Sequence, residues 1–222
     1  MKKILCFLLA TLMLGVCFVS CDEKKEEEAV DRIAPTMESL DFSVIDDISK
    51  VSESTTETDY VIINISINGN EARPVVVRLF PDVAPATVKN FKKLVSEKFY
   101  DGIIFHRVIE NFMIQGGDPD GDGMGGSKDT IKGEFTTNGF ENNLLHKRGV
   151  VSMARTNDPD SASSQFFIMH KDYPSLDGKY ASFGYVVYGM DVVDDIAEMR
   201  TISDRPVFDV VMTSVRFAKV AE

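Results

Sequence analysis

Between residues 60 and 217 the chain is cut into short runs of β-branched and aromatic residues, and two stretches carry a helical repeat. Apolar runs of that length, bounded by Gly, Asn, Asp and Pro, read as strands. Tyr60-Val-Ile-Ile-Asn-Ile-Ser-Ile67 is the first. Asn68-Gly69-Asn70 supplies a turn, and Pro74-Val-Val-Val-Arg-Leu-Phe80 returns as the second arm of a hairpin. Further strands are expected at 103–108, 111–115, 149–153, 165–169, 182–188 and 207–217. Val88, Phe91, Leu94, Val95 and Phe99 recur at helical spacing, with Lys89, Lys92 and Lys93 on the other side. Val192, Val193, Ile196 and Met199 mark a second helix over 190–199. Many short strands and a pair of amphipathic helices bury their apolar faces together when the sheet curls and the helices lie outside. The expected fold is therefore mainly β, a closed antiparallel barrel.

Such a barrel must stand on its core. The three cysteines, Cys6, Cys17 and Cys21, all precede it, so residues 22–222 can form no disulfide and no thiolate metal site. The histidines His106, His146 and His170 are scattered without ligand spacing, and neither a metal nor a cofactor is expected. The formal net charge is −11, from 24 basic and 35 acidic residues. That balance argues against a nucleic-acid partner, because phosphate binding needs clustered Lys and Arg.

The N-terminus reads as an address. Lys2 and Lys3 precede an apolar run over 4–19, and Ser20 stands before Cys21. This resembles a bacterial lipoprotein signal, with cleavage before Cys21 exposing that cysteine for lipidation. Phe18 occupies a position where Leu is usual. Residues 1–20 are thus expected to be a signal peptide, and 21–57 a lipidated cysteine with an acidic, flexible linker. A short amphipathic helix over 37–48 is possible within that linker, with Leu40, Val44, Ile45 and Ile48 on one side. The expected location is the bacterial cell envelope, at the outer membrane, periplasmic or surface-exposed, held by a lipid anchor. The globular domain is expected over 58–222.

Three segments carry a more specific likeness. They are Phe105-His-Arg-Val-Ile-Glu-Asn-Phe-Met-Ile-Gln-Gly-Gly-Asp118, Ser164-Gln-Phe-Phe-Ile168 and Leu176-Asp-Gly-Lys-Tyr-Ala-Ser-Phe-Gly184. In this order they resemble the signature of the cyclophilin family, and the likeness runs from about Tyr60 to Phe217. The resemblance implies an eight-stranded barrel capped by two α-helices, and catalysis of cis/trans isomerisation about Xaa-Pro bonds. It implies that Arg107 is the catalytic residue. Phe112, Met113, Phe167 and Leu176 would line the proline socket, and Gln115 and Gln165 would bind substrate backbone and steady Arg107. Ala154, Arg155 and Tyr180 would complete the groove. Partners would be proline-containing peptides and unfolded exported proteins, bound by a monomer. This chain has Arg155-Thr156 where many relatives have Asn-Ala, Tyr180 where many have His, and Ser175 where Trp is common. The last position bears more on cyclosporin-type ligands than on turnover.

Elementary chemistry agrees with that assignment. Rotation about a peptide bond must overcome about 18–20 kcal/mol of resonance. No bond breaks, so an enzyme needs only to bind the twisted amide better than either planar form. A permanently charged, forked guanidinium beside the amide nitrogen suits that task. Strand alternation also sends Phe166 and Phe167 to opposite faces, one to the core and one to the groove. Other motifs are weaker. Asp118-Pro-Asp120-Gly-Asp122-Gly, with Asp129 at the twelfth place, nearly spells a calcium loop but lacks flanking helices. His106 has no proton to move in an isomerisation, and Ser161, Ser163 and Ser164 have no partnered base. The rival reading is a proline-peptide binding module or holdase without turnover.

Overall fold

The computed structural model describes residues 33–221, and Cys21 with the signal segment 1–20 lies outside them. Eleven strands and two α-helices are present among the described residues. The strands are β1 (Val51–Glu53), β2 (Tyr60–Ile67), β3 (Arg73–Leu79), β4 (Phe105–Ile109), β5 (Met113–Gly116), β6 (Val150–Met153), β7 (Phe166–Met169), β8 (Ser182–Tyr188), β9 (Thr201–Ile202), β10 (Arg205–Pro206) and β11 (Val210–Val220). The helices are α1 (Pro85–Ser96) and α2 (Met190–Ala197). Nine strands form one sheet in the order β1-β11-β2-β3-β8-β6-β7-β5-β4, every neighbouring pair antiparallel. The expected β2–β3 hairpin is present, with Val61 opposite Val77 and Ile63 opposite Val75.

The fold is mainly β with two helices as expected, but hydrogen-bonded strand pairing alone does not close the sheet into the expected eight-stranded barrel. Among the described residues no ladder joins the outer edge of β4 to β11. A single bridge, Ile104 to Val211, spans the gap, with Gly102 N and Met212 N donating to Met212 O and Ile103 O at 2.8 and 2.9 Å. Opposite β4 the chain leading into β11 is taken up by the β9–β10 hairpin, whose Asp204 O accepts the Val108 N–H at 2.7 Å, and on the far side of the bridge a side chain makes the contact. Asp101 Oδ1 accepts the Val215 N–H at 3.1 Å, and the same carboxylate holds Arg216 at 2.8 and 2.7 Å.

Alternation along β2 and β3 places Val61, Ile63, Val75 and Val77 in the main core. An aromatic cluster fills its centre. Phe166 meets Phe91 and Tyr100 edge-on at 5.5 Å each, and Phe105 at 6.1 Å. Helix α1 contributes Phe91 from its buried face of Val88, Leu94 and Val95. Its N-terminus lacks a capping side chain of its own. Instead the buried Glu134, far along the chain, accepts the N–H groups of Ala86 and Thr87 at 3.0 and 2.8 Å. A carboxylate there satisfies orphan donors and complements the helix dipole.

Residues 33–57 depart from the expected linker. The helix considered over 37–48 is absent. Met37–Ser39 and Ile48–Lys50 are 3-10 turns, and the chain between them is largely extended. Met37, Leu40 and Phe42 pack against the main core, and the segment then straps the opposite face of the sheet, where Ile62, Val76, Val187 and Ala218 form a second apolar cluster. Ile45 and Ile48 pack on that cluster while Val44 points to solvent, as an extended chain requires. Ile45 N donates to Val187 O at 2.7 Å, Asp41 pairs with Arg78, and β1 joins the edge of β11. Phe42 lies edge-on to Phe80 and Tyr185 at 5.6 and 4.9 Å.

If the strap is part of the fold, Phe42→Ala will lower unfolding stability by about 1–3 kcal/mol, below the loss from a fully buried Phe. A shift in the urea midpoint measures it; an unchanged midpoint would mark the strap as a passive leash.

Candidate active site

Arg107 reaches solvent because β4 is bulged. In a regular strand Phe105 and Arg107, two apart, would share a face. Here Phe105 pairs with Gly116 and Arg107 with the adjacent Gln115, so β4 carries one extra residue, His106. A bulge of this kind re-aims the next side chain along the strand. Phe105 stays in the core, 1% exposed, while the Arg107 side chain is 43% exposed.

The partners of Arg107 lie across neighbouring strands. Its Nη1 donates to Gln115 Oε1 at 3.3 Å, and Gln115 Nε2 donates to Gln165 Oε1 at 2.8 Å. Gln165 Nε2 in turn donates to the carbonyls of Gly123 and Gly125 at 3.1 and 2.8 Å. Each amide therefore has a fixed orientation along the relay. The relay depends on Gly117, which has φ 86° and lies so near Ser164 that a Cβ would sit 2.4 Å from that carbonyl oxygen. Only glycine allows that approach.

Beside the relay lies a groove of about 750 Å³. Phe112, Met113, Gln115, Ala154, Arg155, Phe167, Leu176 and Tyr180 line it with Arg107. Gln165 lines an adjoining smaller cavity of about 290 Å³. All ten residues singled out for catalysis and substrate binding thus come to one place, from β4, β5, β7 and three loops. Phe167 pairs with Gln115 and faces the groove, while Phe166 pairs with Gly116 and enters the core. Phe112 rests on Tyr173, with ring centroids 4.4 Å apart. Tyr180 stands edge-on to Phe167 at 5.9 Å. The Ala154 N–H is already held by Gln165 O at 2.9 Å. The acidic loop after Gly117 turns inward: the Asp118 carboxylate accepts the N–H groups of Asp120, Asp122 and Gly123 at 2.9, 3.1 and 2.6 Å.

Sequence reasoning missed one wall. The β9–β10 hairpin turns at Ser203 and Asp204, both at positive φ, and brings Ile202, Asp204 and Arg205 to the groove. Asp204 Oδ2 lies 3.6 Å from Arg107 Nε, and Asp204 O accepts the Val108 N–H at 2.7 Å. The only local signal was a Ser-Asp pair at a position where Asn-Gly would announce a tight hairpin.

Residues 60–217 match the family model described as cyclophilin type peptidyl-prolyl cis-trans isomerase/CLD. The chain is 44% identical over 135 residues to a peptidyl-prolyl cis-trans isomerase of Schizosaccharomyces pombe, covering 60% of this chain and 85% of that one. It is 46% identical over 134 residues to such an isomerase of Acinetobacter baylyi, covering 56% of this chain and 67% of the other. A crystal structure of a Cryptosporidium parvum cyclophilin type peptidyl-prolyl cis-trans isomerase, determined in the presence of the dipeptide Ala-Pro, superposes with a TM-score of 0.64 at 29% identity. That match covers 71% of this chain and 98% of the other.

Buried histidines support the groove from below. His146 lies under Phe167, its Nδ1 3.0 Å from Asp177 Oδ1 and its Nε2 3.1 Å from Ser152 Oγ. Burial holds its pKa down, against the opposing pull of Asp177. His170 accepts the Asn111 N–H at Nδ1, 3.0 Å away, and fixes the turn before Phe112. Burial lowers its pKa too, against Asp194, and burial also lowers that of His106. An unfolded imidazole titrates near 6.5. The unfolded chain therefore binds protons first on acidification. Stability should be full above about pH 6.5 and fall as pH drops from there toward the lower folded pKa values. Urea midpoints between about pH 8 and pH 5 will show this decline, and His146→Gln will flatten it. A flat wild-type profile would contradict it.

Proposed function

The chain belongs to the cyclophilin-type peptidyl-prolyl cis-trans isomerase family and accelerates Xaa-Pro rotation; we propose that Arg107 does so by stabilising the twisted amide while the proline ring sits in the adjoining apolar socket. The observation that carries this reading is the Arg107–Gln115–Gln165 relay at the mouth of a groove walled by Phe112, Met113, Phe167, Leu176 and Tyr180. As the C–N bond twists, the nitrogen loses its conjugation and becomes a hydrogen-bond acceptor. A guanidinium held in place meets that lone pair and the neighbouring carbonyl together, with no reorganisation at the moment of rotation. Gln115 holds one edge of the fork and Asp204 approaches another, so the remaining N–H groups are left to the substrate. The ring's apolar surface fixes the pivot. Neither a covalent step nor a proton transfer is needed.

In the same reading the sheet works as a closed eight-stranded barrel, with the Ile104–Val211 bridge as its seam. Clients are proline-containing, unfolded exported proteins, bound by a monomer. The lipoprotein-like segment ending in Cys21 would hold the enzyme at the bacterial envelope.

Arg107→Ala should lower kcat/KM on a short Xaa-Pro peptide by about 10²–10³, the usual cost of one transition-state donor. Arg107→Lys keeps the charge without the fork and should recover only part of that loss. A proline-isomerisation assay reads both, and an unaltered rate for Arg107→Ala would refute the mechanism. In cell fractionation, Cys21→Ala should move the protein from membrane to soluble fractions; continued membrane association would count against lipidation.

A further inference from the structure

The smaller cavity has a chemistry that proline alone does not explain. It opens off the main groove and shares Gln115, Gly123, Ala154 and Arg155 with it. Its remaining side chains are chiefly hydroxyls: Ser127, Thr156, Ser161 and Ser163. No carboxylate lines it. Three of the acids near it are hydrogen-bonded or paired elsewhere. Asp118 is bound to its own loop, Asp160 to Gly133 N and Asn138, and Asp129 to Lys93. In a chain of net charge −11, this hydroxyl-lined pocket carries one guanidinium and no carboxylate of its own.

That guanidinium is held rigidly. Arg155 lies 5.0 Å from the Phe135 ring centroid and 4.6 Å from that of Tyr180, a wall of the proline socket. Its Nε and Nη2 donate to Lys179 O at 3.1 and 2.9 Å, and its Nη1 to Thr156 O at 2.8 Å. All three bonds go to neutral carbonyls, so the positive charge has no ion-pair partner in them. Further N–H groups of the fork remain for a ligand. A planar cation with its orientation fixed by aromatic contacts suits a carboxylate better than a flexible ammonium would.

We propose that this cavity selects clients carrying an Asp or Glu beside the isomerised proline, and that Arg155 is the specificity-determining residue. The inference rests on the groove being the proline site. The two cavities share a wall, so a side chain next to the proline can enter the smaller one while the ring occupies the larger.

The test is a peptide series on the wild-type protein, with Glu or Gln at each of the two positions before and the two positions after proline. At one position kcat/KM for Glu should exceed that for Gln by about threefold to fivefold, the scale of a half-exposed ion pair. Arg155→Gln should bring that ratio to about one, and Arg155→Glu should transfer the preference to a Lys peptide, while Arg155→Lys keeps part of it. Each ratio is internal to its variant, so altered overall activity does not enter. Should a variant fail to fold, amide shifts of Thr156 and Ser161 in the wild type must respond more to the Glu peptide than to the Gln peptide. Equal turnover of Glu and Gln peptides at every position would overturn the proposal. Absence of turnover for all peptides would instead overturn the proline-site reading beneath it.

Discussion

One inserted residue in β4 is the constraint on which the active site depends. The core demands Phe105, which closes the aromatic cluster against Phe166. The proposed mechanism needs Arg107, two residues later, to reach water. A regular strand cannot satisfy both, because such residues share a face. Taking His106 out of register with β5 resolves the conflict. The bulge also sets Arg107 directly opposite Gln115, so the cation gains its acceptor from the ladder itself.

The same economy appears in β7. Phe166 faces the core and Phe167 the groove, with Gly116 and Gln115 as their respective partners across the ladder. Groove and core are therefore two sides of one sheet only a residue thick. Packing errors on one side are felt on the other, since Phe91 from α1 bears on Phe166, whose neighbour Phe167 rests on His146. Glu134 extends the coupling by capping α1 from a loop next to Phe135, on which Arg155 stacks. A buried, hydrogen-bonded scaffold of this sort preorganises the site.

Much of this was legible in the sequence because it depends on local pattern. Strand β8 and the β2–β3 hairpin arise from β-branched runs and an Asn-Gly turn, and α1 from the spacing of Val88, Phe91 and Val95. The groove residues were legible through a long signature rather than through chemistry; Gln165 by itself is an ordinary strand-end residue. The features that escaped depend on distant partners. The strap over 33–57 is acidic and polar on average, yet a few residues such as Phe42 and Ile45 meet apolar surface supplied by β3 and β8. Composition averages such positions away. The β9–β10 wall uses only two residues per strand, too few to show a period. The seam next to β4 brings Asp101 to Val215, a contact across 114 residues of chain.

The position of β11 has a consequence for the order in which this molecule can assemble. It lies between β1 and β2, the first two strands of the sheet, and is itself the last of the described strands in chain order. Thr58 Oγ1 already waits on Ala218 O, 160 residues ahead. Until β11 arrives, β2 has an unpaired edge of eight residues and the strap has nothing to dock its strand against. Such long-range closure slows folding and leaves exposed edges open to wrong partners. A peptidyl-prolyl isomerase of this build thus completes its own sheet only when strands far apart in the chain are brought together.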